Sequence, residues 1–179
     1  MIIDPKHVSF CFGRFQPPHY GHRLLMQEVM SHGSNFRIFA SPSWDKKTNP
    51  IEFETKVDLI KRMFPEIASG VNTDRTINTV LKAAARLHQH GFKRATFIAG
   101  TDRISGFKEL LLKYNGCMSA HGFYDLDFEF VEFSSPAIRS TEIRQAVAEN
   151  NFDKFCTLTN FNEFSTELFN EVKKGLSIR

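Results

Sequence analysis

Gly13-Arg14-Phe15-Gln16-Pro17-Pro18-His19-Tyr20-Gly21-His22 lies between an apolar run, His7 to Phe12, and a stretch of helical apolar spacing, Gly21 to Ser31. The first run reads as a strand and the second as a helix, with Leu24, Leu25, Val29 and Met30 facing inward. Pro17 and Pro18 lack a backbone N–H and turn the residues before them away from helix, so the helix starts no earlier than His19 to His22. The two histidines therefore share the first turn and one helix face, beside free N–H groups and the positive end of the helix dipole. Gly21 leaves room for a phosphate, and Arg14 adds a fork of donors suited to phosphate oxygens. Each residue alone could serve a turn, a cap or a solvated surface. Together, after a strand and before a helix, they point to an anion site.

Outward from this motif, strands and helices alternate. Phe36 to Ser41 reads as a second strand, followed by an irregular loop through Ser43 to Pro50 and a helix from about Ile51 to Phe64. Ile67 to Asn72 is expected as a third strand, and Thr76 to Gln89 as a helix stopped by Gly91, with Val80, Leu81, Ala84 and Leu87 giving its period. Ala95 to Ala99 reads as a strand ending at Gly100-Thr101-Asp102, with a helix from about Ile104 to Tyr114 behind it; Asp127 to Phe133 is the last strand and Ser140 opens another helix. The alternation predicts an α/β fold, a Rossmann-like doubly wound parallel sheet of about five strands with helices on both faces. No repeat or linker divides the chain, so one domain is expected over 1–179, helical from about 140. Ligands of such sheets bind beyond the carboxyl ends of the strands. Four polar motifs fall there.

A chain of 179 residues with 41% hydrophobic content can bury a core, to which its 19 phenylalanines are assigned. No apolar run approaches the roughly 20 residues that span a bilayer, and the opening stretch lacks the pattern of a secretory signal. These features, with an odd number of scattered cysteines, Cys11, Cys117 and Cys156, predict a cytoplasmic protein without zinc or disulfide chemistry. A net charge of +3, with the basic residues spread out, argues against nucleic acid as a partner. His88 and His90, two apart on a helix, point away from each other and read as surface residues rather than metal ligands.

A second anion motif is Arg139-Ser140-Thr141-Glu142-Ile143-Arg144, in which Ser140 or Thr141 can cap the helix and Thr141 and Arg144, one turn apart, can face one ligand. GRFQPPHYGH and this second motif resemble the two signatures of the HxGH nucleotidyltransferase superfamily. Within it the first motif, with Thr48-Asn49-Pro50 and the downstream Glu54, is most similar to the archaeal-like and bacterial nicotinamide mononucleotide adenylyltransferases. The resemblance implies in-line transfer of AMP from ATP, accompanied by Mg2+, to a phosphorylated acceptor, nicotinamide mononucleotide by preference, with loss of pyrophosphate.

It assigns His19, His22 and Arg144 to catalysis, with the histidines at the α-phosphate; Gly13, Arg14, Phe15, Gly21, Gly100, Asp102, Ser140 and Thr141 to the nucleotide; and Trp44, Lys46, Lys47 and Asn49 to the acceptor. No resident protein-bound metal is implied, and a homo-oligomer is compatible with it. Within the same superfamily, transfer from CTP to a phospho-alcohol or from ATP to phosphopantetheine stays open, because Gly100-Thr101-Asp102 is not the usual sequence of the nicotinamide branch. A non-catalytic nucleotide-binding or assembly module, with the Phe-rich tail as its interface, is the alternative from another class.

Overall fold

Strand β1 (His7–Gly13) sends Val8 and Phe10 into one apolar cluster and Cys11 into another, because successive side chains of a strand face opposite ways. Both clusters are built around the same sheet, which also contains β2 (Phe36–Ala40), β3 (Arg94–Gly100) and β4 (Asp127–Phe133), all parallel in the order β2-β1-β3-β4. This is a computed structural model and describes residues 4–134, 136–161 and 163–177. Helices α1 (Tyr20–Ser31) and α2 (Phe53–Met63) cover one face, with α5 (Ser140–Ala148), α6 (Phe152–Thr159) and α7 (Ser165–Gly175). The opposite face carries α3 (Val80–Gln89) and α4 (Ile104–Lys113). No helix among the described residues is long and apolar enough to cross a membrane.

Three expectations are corrected. The sheet has four strands, not five: Pro65–Gly70 forms a short 3-10 helix, and only Val71 bridges β2, opposite Ile38. Pro65 sets a turn at the start of this segment, and Gly70 packs so closely on Phe36 that an added Cβ would lie 2.2 Å from the ring. The inward face of α1 is centred on Met26 and Val29, both fully buried, while Leu24, Leu25 and Met30 stay partly exposed. Helix α3 starts at Val80 rather than Thr76, because the Thr79 side chain accepts the Lys82 N–H and caps it.

The sheet reverses its winding between β1 and β3, and there it splits. Pairing of β1 with β3 ends at Phe10↔Phe97, whereas β1 stays paired with β2 as far as Gly13↔Ala40 and β3 with β4 as far as Gly100↔Phe133. The last three residues of β1 and β3 are therefore unpaired with each other at the switch point, where ligands of doubly wound sheets bind.

Candidate active site

The loop after β1 is pinned at three points. The Gln16 side chain pairs with the backbone of Ile51, Nε2 donating to the carbonyl at 2.7 Å and Oε1 accepting the N–H at 3.0 Å. Lys56 Nζ donates to the Arg14 carbonyl at 2.8 Å and also to the Ser41 carbonyl. Arg144 Nη1 donates to the Gln16 carbonyl at 2.7 Å. Between these points Phe15 takes a left-handed backbone, φ 49°, with its ring buried. Such a conformation costs on the order of 1–3 kcal/mol for a bulky residue and persists only where the surroundings over-determine it. Gly13 belongs to the same arrangement: a Cβ there would sit 2.7 Å from two ring carbons of Phe15.

Held by this loop, the rings of His19 and His22 stack at 3.6 Å, and Phe15 packs edge-on against His22. His19 is the residue before α1 begins, in extended backbone. The Nδ1 atoms of both rings are buried without a hydrogen-bond partner, leaving Nε2 as the nitrogen each can present to a ligand. Burial lowers the His19 pKa to about 4, and burial, then the neighbouring His19 and Lys56, hold that of His22 well below its ordinary value. Both imidazoles are therefore held toward the neutral form, in which one ring nitrogen donates and the other accepts. The fixed charge comes from the arginines.

Arg144, on α5, reaches the first motif through Gln16 and also donates from Nη2 to Thr141 Oγ1 at 3.2 Å. Its pKa is lowered by burial and then by Arg14, with Asp45 acting in the opposite sense, so the three side chains lie within electrostatic reach of one another. Arg14 and Arg144, from opposite ends of the sequence, thus lie at the same rim. The helix cap expected of Ser140 or Thr141 is not made: Arg139 holds the cap position with no side-chain bond, and the Thr141 hydroxyl is taken by Arg144. The first amides of α5 keep their donors free of side-chain caps.

After β2, Asp45 accepts the N–H groups of Lys47 at 2.8 Å and Thr48 at 2.6 Å, the Thr48 hydroxyl at 2.8 Å and the Asn49 amide. These bonds, with that from the Thr48 N–H foremost, hold its carboxyl far below the usual range. Asn49 is buried with its nitrogen committed to this turn and its Oδ1 unpartnered, whereas Trp44, half exposed, and Lys46 and Lys47 stand at the surface. Beyond β3, Asp102 is exposed, and its carboxylate leans back over Gly100 without capping α4, whose cap position is Arg103. Glu54 faces solvent and pairs with Arg75 at 3.0 Å.

Two side chains that build the loop carry no role in the sequence reading. Gln16 was part of the quoted motif without an assigned task. Lys56 lies on the expected helix after Pro50 without an assigned task, yet Phe53, Lys56, Val57 and Ile60 follow the i, i+3, i+4, i+7 spacing of a buried stripe. That register is the signal that places its amine inside.

A parallel sheet split at its reversal point, with paired imidazoles and two convergent arginines at the carboxyl rim, defines a Rossmann-like nucleotide-binding class. More particularly, residues 10–146 match the family model described as cytidylyltransferase-like, and the chain belongs to that family of nucleotidyltransferases. No curated protein matches it by sequence. Among solved structures it is similar to a bifunctional NMN adenylyltransferase/ADP ribose pyrophosphatase from Francisella tularensis, with a TM-score of 0.63 and 16% identity, covering 96% of this chain and 53% of that one. The same Francisella protein complexed with AMP and a manganese ion gives 0.57 and 18%, covering 96% and 52%. Thermotoga maritima TmcAL bound with alpha-thio ATP gives 0.55 and 14%, covering 95% and 57%. The chain thus spans about half the length of these proteins.

Proposed function

We propose that the chain transfers the adenylyl group of ATP to a phosphorylated acceptor, nicotinamide mononucleotide, releasing pyrophosphate. The observation that carries this reading is the bond from Arg144 to the Gln16 carbonyl, which joins the two phosphate motifs into one clamp. In the reaction an acceptor phosphate oxygen attacks the α-phosphorus, the bond to the bridging oxygen of the β-phosphate breaks, and that oxygen leaves with the electron pair as pyrophosphate. Alignment of two polyanions and donors aimed at developing charge supply most of the catalysis such a step requires.

His19 and His22 donate from Nε2 to the α-phosphate, where neutral rings bind without a fixed charge. Arg144, Thr141 and Ser140, at the start of α5, take the β- and γ-phosphates. Gly13, Arg14, Phe15 and Gly21 shape the nucleotide side of the site, and Gly100 and Asp102 lie where a ribose can be read. Trp44, Lys46 and Lys47 are the exposed groups for an acceptor, while Asn49 builds their loop. For magnesium, the rim offers the exposed carboxylate of Asp102, paired only loosely with Arg103 at 3.7 Å, since that of Asp45 is filled by its own turn. This donor set suits an ion carried chiefly by the triphosphate, which would offset charge on the leaving group.

Structural neighbours crystallised with AMP and with an ATP analogue support adenylyl transfer. The cytidylyltransferase-like family supports, as a second reading, CTP with a phospho-alcohol. Purified protein offered magnesium with ATP or CTP, and nicotinamide mononucleotide, phosphopantetheine or phospho-alcohols, decides between them through pyrophosphate release. The expected result is turnover with ATP and nicotinamide mononucleotide. Failure of every pair to exceed a His22→Ala control removes the enzyme reading in favour of a binding module.

A further inference from the structure

Beside the Ser41 N–H bond to the Gly13 carbonyl at 2.8 Å, one side chain ties the carboxyl ends of β1 and β2. Lys56 is fully buried on the inner face of α2, and its amine donates to the carbonyl of Arg14, just past β1, and to that of Ser41, just past β2. Buried backbone carbonyls need donors. A shorter side chain would not reach both, and an apolar one would leave both bare. Its positive charge also acts on His22, inside the loop that Arg14 begins. An ammonium has three donors, and two of them meet carbonyls.

From this juxtaposition we propose that Lys56 is a positioning residue of the phosphate site, fixing the Arg14-to-His22 loop against the end of β2. The proposal rests on the transferase reading for its purpose, but not for its geometry. Burial lowers the Lys56 pKa to about 7, so the amine is poised between one form whose two N–H donors match the two carbonyls and another that adds charge under an anion. The groups facing His22 that bear on this balance are His19 in the loop and Lys56 on α2, and an anionic ligand at the rim favours the charged form of each.

The test compares wild type with Lys56→Met and Lys56→Arg, using inorganic tripolyphosphate as the probe. Calorimetry gives its affinity, NMR follows the His22 imidazole, and kcat and KM are measured where turnover is found. Lys56→Met is expected to stay folded by circular dichroism, to bind tripolyphosphate at least ~10-fold more weakly, to titrate His22 at higher pH, and to lose about 100-fold in kcat, the scale of a misplaced reacting group. Lys56→Arg, which keeps a charge and several donors, is expected to recover part of the binding. Wild-type affinity and an unmoved His22 titration in Lys56→Met overturn the proposal. If Lys56→Met does not fold, the wild-type Lys56 Nζ resonance decides: a shift on adding tripolyphosphate supports the proposal and a fixed resonance overturns it. Lack of turnover in wild type removes the transferase reading alone, since the His22 titration still tests Lys56.

Discussion

At the scale of single residues, burial of the two histidines ties the site to stability. His19 has a folded pKa of about 4 against 6.5 in the open chain, so below pH 6.5 the unfolded state binds more protons than the folded one. Its contribution is fully present above pH 6.5 and is lost as pH falls toward 4. For this group, 3% exposed, the loss is roughly 3 kcal/mol. Paired carboxylates such as Glu167, held low by its bond from Arg62, begin to lose stability only below 4.5. Thermal midpoints between pH 7 and 4.5 are therefore expected to fall in wild type and to change much less in His19→Asn/His22→Asn; equal slopes would refute the burial argument. Arg144 makes a different prediction. Its fork spans the Gln16 carbonyl and the Thr141 hydroxyl, and a single ammonium cannot reproduce that geometry. Arg144→Lys is expected to lower pyrophosphate release by about 100-fold, while its melting temperature stays near that of wild type.

At the scale of elements, the motifs were legible because local chemistry fixes them: the two prolines delay α1 to Tyr20, and the Ser140 segment opens a helix as expected. Ile67 to Asn72 has the composition of a strand but not its neighbours. Pro65 and the contact of Gly70 with Phe36 fold it into a turn that braces α1, where Arg23 reaches Glu66 at 2.7 Å. The burial of Lys56 was hidden for the opposite reason, since a lysine is ordinarily assigned to solvent and only the helix register contradicts that. Close contact between elements was beyond sequence altogether. Gly175, at the end of α7, lies so near Pro50 that a Cβ would be 1.9 Å from its carbonyl oxygen, clasping α7 to the loop that displays Trp44 and Lys46. Gly175→Ala is expected to destabilise the protein by ~1–3 kcal/mol, the range for overpacking. It should also raise the acceptor KM more than that for ATP, because α7 backs the acceptor loop. Chemical denaturation and steady-state kinetics measure the two effects, and an unchanged denaturation midpoint would show that the contact is slack.

Over the whole molecule, the family match ends at residue 146, yet the core does not. Phe155, Leu168, Phe169 and Val172 lie in the same apolar cluster as Met26, Ile38 and Ile60. They cover the buried face of α5, formed by Ile143, Ala146 and Val147. Burying each such large side chain contributes about 1.5–3 kcal/mol, so these four alone are comparable with the ~5–15 kcal/mol net stability of a domain. The helices α6 and α7 are therefore part of the folding unit rather than an appended tail. A chain ending at Ala148 is expected to lose its cooperative unfolding transition and to bind a hydrophobic dye, and with α5 released Arg144 should no longer hold the Gln16 carbonyl. Tripolyphosphate binding should fall with it even though every residue of both phosphate motifs is retained. A truncated chain that melts cooperatively near the wild-type temperature and still binds the probe would mean that the phosphate clamp is self-supporting. The interdependence of the two apolar clusters on either face of the sheet would then be smaller than that shared sheet implies.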